Sequence, residues 1–127
     1  MQKYLKSDNV AVIYSPDYGR GWYTLHETLY PVPERLLFDS ILVKILIERD
    51  EKLLHETDQE YRVKVLNDAQ KKFQVRLNEL FEDSGNISFD IEDLEIGWVS
   101  KNKEFVIKEY DGCESIHLKE NVKWLKA

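Results

Sequence analysis

The chain has 127 residues, with 24 acidic side chains against 18 basic ones and a formal charge of −6. That length holds one hydrophobic core, so residues 1–127 are expected to form a single α+β domain. The negative balance repels a nucleic-acid backbone and argues against direct nucleic-acid binding, and the ordinary share of apolar residues excludes a disordered chain.

The first patterned segment is Val10-Ala11-Val12-Ile13-Tyr14, whose β-branched and aromatic residues predict a strand. A turn-rich stretch follows, and Trp22 to His26 is expected to return as a second strand of an N-terminal hairpin. Pro31 and Pro33 remove backbone donors, which makes 30–34 an extended connection. Asp39 or Ser40 is the expected N-cap of a helix from about Ile41 to Leu54, against the weaker signal of a strand from the β-branched Ile41, Val43, Ile45 and Ile47. That apolar run is broken by Lys44 and is far shorter than the roughly 20 residues that span a bilayer, so no membrane association is expected.

Thr57-Asp58-Gln59-Glu60 has the form of a capping box and predicts a second helix, with Val65, Leu66, Ala69, Phe73, Leu77, Leu80 and Phe81 on its apolar face. Ser84-Gly85 is the expected stop. Beyond Ile87 the period changes to two: Ile87, Phe89 and Ile91, then Leu94, Ile96 and Trp98, then Phe105 and Ile107, then Ile116 and Leu118 read as strands of a C-terminal antiparallel meander. Ser100 to Lys103 and Asp111 to Glu114 are its turns, and Val122 to Leu125 a last short strand. The expected architecture is α+β, an antiparallel sheet with two helices packed on one face.

Two loops carry chemistry. In Tyr14-Ser15-Pro16-Asp17-Tyr18-Gly19-Arg20-Gly21-Trp22-Tyr23, two glycines free backbone N–H groups, Arg20 adds a planar cation and aromatic rings stand nearby. Such a loop can clasp an anion or stack a base. It can equally be a hairpin loop that needs glycine for its turn and sends its aromatics into the core. At Tyr110 to Ser115, acidic and hydroxyl groups sit on a hairpin tip, where Asp111 and Glu114 could accept from ribose hydroxyls, or where an Asp-Gly pair simply turns the chain. A shared position for the two loops strengthens both functional readings.

Other constellations are weaker. His26, His55 and His117 lack paired ligand spacing, and the acidic run Asp90, Glu92, Asp93, Glu95 alternates with apolar residues as the wet face of a strand does, so no metal site is expected. Cys113, the single cysteine, cannot form an internal disulfide; as a nucleophile its local base would be His117. Met1 to Tyr4 lacks the charged-then-apolar pattern of a signal segment, so no leader is expected and a reducing cytoplasm is the expected setting. No catalytic residues and no cofactor are expected.

Several of these stretches together resemble a group of small uncharacterised proteins of tailed bacteriophages and prophages. The resemblance rests on Val10-Ala11-Val12-x-Tyr14-Ser15-Pro16, Tyr18-Gly19-x-Gly21-Trp22-Tyr23-Thr24, Leu36-Leu37-Phe38-Asp39, Leu94-Glu95-x-x-Trp98, the run from Phe105 through Glu109-Tyr110-Asp111-Gly112-x-Glu114-Ser115-Ile116, and Val122-x-Trp124. It covers both ends and leaves out residues 50 to 90. In that group alanine is common at the position of Arg20, serine at that of Cys113 and proline at that of Ser40. The resemblance implies an accessory protein made in the cytoplasm of a bacterial host cell.

Two functions are expected from this reading. The first is sequestration of a small anionic, nucleotide-like ligand, with Tyr14, Tyr18 and Trp22 stacking, Gly19 and Gly21 presenting N–H groups, Arg20 on charge, and Asp111 and Glu114 on hydroxyls. The alternative is a non-enzymatic inhibitor or adaptor that binds a host or phage protein, such as a host defence protein, through an acidic and aromatic surface. Homo-oligomers are a further possibility wherever a strand edge is left open.

Overall fold

Strand β2, Asn9–Tyr14, lies at the centre of the molecule because it is apolar on both faces: Ala11, Val12 and Ile13 are all without solvent exposure. A computed structural model describes residues 3–16, 22, 35–80, 89–110 and 113–118. On one side β2 pairs antiparallel with the two-residue β1, Leu5–Lys6, and on the other with β3, Glu95–Ser100. The short β1 has no signature of its own in the sequence; Ser7, at φ 54°, makes the reversal that brings it back.

Helix α1, Arg35–Phe38, is a single turn that leads into α2, Ser40–Leu53. The carboxylate of Asp39 caps α2 by accepting from the Leu42 amide at 3.1 Å. The β-branched run inside α2 does not make a strand. Leu42, Val43, Leu46 and Arg49 are its buried residues beside Ser40, a helical spacing, and the packing of that stripe overrides local propensity. Helix α3, Gln59–Leu80, buries Val65, Ala69, Phe73 and Leu77 at a strict spacing of four. It begins one residue later than a Thr57 cap would place it, because the Asp58 carboxylate accepts from the amides of Glu60 at 3.0 Å and Tyr61 at 3.5 Å. Arg76 of α3 reaches the capping Asp39 with two bonds, at 2.9 and 2.8 Å, and so pins the two helices together. Burial raises the Asp39 carboxyl, but the Arg76 guanidinium and the Leu42 amide outweigh it and hold the group below its ordinary value.

The expected single meander divides in two. Strands β4, Phe105–Tyr110, and β5, Cys113–Leu118, pair with each other from Phe105↔Leu118 to Tyr110↔Cys113, and among the described residues neither joins β1-β2-β3. The hairpin instead packs on the sheet through Ile116, and its Phe105 ring sits edge-on to Phe38 of α1 at 5.7 Å. Gly97 makes the packing possible: a Cβ there would stand 2.4 Å from Cδ1 of Ile116 and 3.3 Å from the Tyr14 ring. The α+β class stands, as three helices with a three-stranded sheet and a separate two-stranded hairpin.

A second difference lies just before β3. Ile91 to Asp93 form a turn and not the strand expected over Ile87 to Ile91, with the Asp90 carboxylate accepting from the Glu92 amide at 3.0 Å. The expected strand at 22–26, the proline connection, the Ser84-Gly85 stop, Ile87 itself, the Asp111-Gly112 turn and the strand at 122–125 lie outside the described residues, Trp22 excepted. No helix among the described residues is long and apolar enough to cross a membrane.

Candidate functional site

The two loops singled out by the sequence do meet. The Glu114 amide donates to the Ser15 carbonyl at 2.7 Å, and the Glu114 carboxylate accepts from the amides of Ser15 at 2.8 Å and Trp22 at 3.2 Å. Cys113 adds a bond from Sγ to the Pro16 carbonyl at 2.7 Å. Residues nearly a hundred positions apart in the chain are thereby tied at one end of the hairpin.

Among the described residues, what meets there is backbone and buried carboxylate. Glu114 is 1% exposed, and on alternating β5 it shares the inward face with Ile116. Trp22 is 2% exposed; its ring sits edge-on to Phe73 and Phe89 with centroids 5.7 and 6.1 Å away. The stacking role expected of Trp22 and the hydroxyl-holding role expected of Glu114 therefore give way to structural ones: Trp22 is a core aromatic, and Glu114 satisfies amides that would otherwise be buried without an acceptor. Among the described residues, the buried indole Nε1 of Trp22 has no hydrogen-bond partner. Tyr14 is half-buried beside Gly97, and burial first, then the neighbouring Glu95 carboxylate and Cys113, pushes its phenol above the ordinary value. Tyr18, Gly19, Arg20, Gly21 and Asp111 lie outside the described residues.

The Cys113 and His117 pairing is not a dyad. Four residues along a strand separate them by roughly 13 Å, and the His117 ring bonds the Ser115 hydroxyl at 2.8 Å instead. Among the described residues no group of three or more His, Cys, Asp or Glu side chains is placed to hold a metal ion. Asp90, from the acidic run, is engaged in closing its own turn.

A different region presents open chemistry. Where α2 ends, α3 begins and β3 passes beneath, the chain encloses a groove of about 860 Å³. Its apolar surface includes Leu54, Val63 and Trp98, which are 68%, 55% and 41% exposed, together with Leu66 and Ile96. Tyr4 flanks the Trp98 ring at 6.1 Å and the Lys6 ammonium lies 5.9 Å from it, which holds the indole at the sheet surface.

The groove is built around Arg49. Buried at the end of the α2 stripe, its guanidinium donates to the carbonyls of Ile91 and Leu94, the latter at 2.8 Å, and pairs with Asp50 at 2.7 Å. Those bonds fasten α2 to the turn that opens β3. Arg62 donates to the Glu56 carbonyl at 3.0 Å and to that of Leu53 at 3.4 Å, satisfying the carbonyl end of α2. Both cations are thus committed to backbone. Against them stand Asp50, Glu51, Glu92 and Glu95, and the last three form no ion pair among the described residues. The rim is net acidic around an apolar floor.

Sequence reasoning passed over this region, reading it only as the end of the helix expected to run to about Leu54. The signal was present: Leu54 among charges and Val63 off the apolar stripe of α3 are bulky side chains with no place in the core. No family model, no curated protein and no solved structure matches the chain.

Proposed function

We propose that this chain is a non-enzymatic binding protein that occupies a protein partner through the acidic groove between α2, α3 and β3. One observation carries the reading: three large apolar side chains, Leu54, Val63 and Trp98, border one hollow while a full core exists elsewhere. Tryptophan at the rim of such a hollow is the residue type that most often anchors an interface. The resemblance to small phage proteins supports an accessory role in a bacterial cytoplasm, with a host defence protein as one class of target. Sequestration of a nucleotide-like ligand at the 14–22 loop has less in its favour, since Trp22 and Glu114 are spent on the interior.

Photo-cross-linking in the cell of origin tests the reading. A cross-linker at Val63 or Leu54 is expected to trap one partner in a stoichiometric adduct, and one at Val75, exposed about three turns further along α3, to trap none. Equal labelling from all three positions, or no adduct from Val63 and Leu54, contradicts it.

A further inference from the structure

The rim charges and the shape of the groove walls say more about the occupant. We infer that the groove takes a basic amphipathic helix of another protein, and this inference rests on the binding function proposed above.

Shape is the first ground. Gln59, Arg62, Val63 and Leu66 line one wall at positions i, i+3, i+4 and i+7 of α3, and the end of α2 lines the other through Ile47, Asp50 and Leu53, with the capping Leu54 beyond it. The α3 wall is a helical ridge, and a ridge of this spacing packs against the ridge of an incoming helix. The floor is the β3 surface at Ile96 and Trp98, which receives one or two bulky apolar anchors.

Charge is the second ground. Arg49 and Arg62 are held by carbonyls and Asp50 and the Lys6 ammonium sits 5.9 Å from the Trp98 ring, while the carboxylates of Glu51, Glu92 and Glu95 stand open to an incoming segment. Lysines or arginines flanking the apolar anchors would pair with them, whereas an acidic segment would be repelled. A second copy of this chain, at −6, brings the wrong sign overall.

The experiment uses labelled peptides of about 15 residues, long enough to hold a helix. One carries leucine at helical spacing with lysine on the flanks, a second replaces each lysine by glutamate, and a third keeps the lysine composition with the leucines scrambled off one face. Fluorescence anisotropy against the full chain is expected to show the lysine peptide binding about tenfold or more tighter than either control. It should weaken comparably on Trp98→Ala, and the preference for lysine over glutamate should reverse with Glu51→Lys combined with Glu92→Lys. Circular dichroism of each variant confirms that it is folded.

Scrambled and patterned lysine peptides binding alike would overturn the helix. Lysine and glutamate peptides binding alike, with the loss on Trp98→Ala retained, would overturn the basic partner while leaving the groove as a binding site. If no peptide binds but the Val63 cross-link still traps a partner, the inferred occupant is wrong and the proposed function stands; if neither is seen, both fall.

Discussion

The junction at Glu114 and the groove at Trp98 lie at different places in one small molecule and use their polar groups in opposite ways. At the junction the carboxylate turns inward, serves backbone amides and closes the structure against water. At the groove the cations turn inward to carbonyls and the carboxylates are left facing out over exposed apolar surface. A stretch rich in glycine, arginine and aromatics drew attention in the sequence, yet the described part of it is architecture. The plainer stretch at the α2–α3 corner holds the open surface. Residue types suggest chemistry, and burial decides whether that chemistry faces a ligand or the chain itself.

If this division is right, damage at the junction destabilises without touching the groove. Glu114→Ala removes the acceptor from two buried amides, each costing about 1–3 kcal/mol when unsatisfied, so a loss of about 3 kcal/mol is expected in urea unfolding. Glu114→Gln should recover little, because its amide group presents a donor where an N–H already points. A Gln variant as stable as the parent would show that the carboxylate is not the clasp.

The bond between Asp39 and Arg76 is the next largest. Asp39→Ala loses a helix cap and an ion pair that is partly open to solvent on the arginine side, so about 2 kcal/mol is expected after discounting for that exposure. The sign with pH follows from the depressed carboxyl of Asp39: its contribution is full above the unfolded value near pH 4 and is lost as pH falls through the lower folded value. Stability measured from pH 6 down to pH 3 should therefore fall less steeply in the Ala variant than in the parent. Parallel profiles would contradict the pairing.

Gly97→Ala sharpens the account of how the hairpin sits on the sheet. The new methyl meets the end of the Ile116 side chain, which can move, so about 1 kcal/mol is expected, with partial rescue by Ile116→Val in a double-mutant cycle. Additive losses would mean that the two positions do not touch. Smallest of all, Trp98→Ala at the half-open floor should change stability by under about 1 kcal/mol while weakening capture of the lysine peptide about tenfold or more.

Helices α2 and α3 and the central strands were legible because their patterns are strong, whereas the single turn of α1 was not expected. Asp39 before an apolar stripe gave α2 its start, and Phe73 and Leu77 at spacing four gave α3 its buried side. The split of the meander was not legible, since β3 and β4 alternate in the same way whether or not they pair; Gly97 was its one trace, a missing side chain where a second layer comes close. Glu114 could have been found by the same alternation that placed Ile116, because the two share a face of β5. The groove was hidden for a different reason. Its residues come from three elements, and only the turn held by Arg49 brings Leu54 opposite Trp98.

The most direct measurement is an amide and indole NMR titration of the isotope-labelled chain with the lysine-flanked helical peptide. The account predicts shifts at Leu54, Val63, Leu66 and the Trp98 indole, with Ser15, Trp22 and Glu114 unmoved. Shifts concentrated at Ser15, Trp22 and Glu114, with the groove silent, would contradict it and return the binding site to the glycine-aromatic loop.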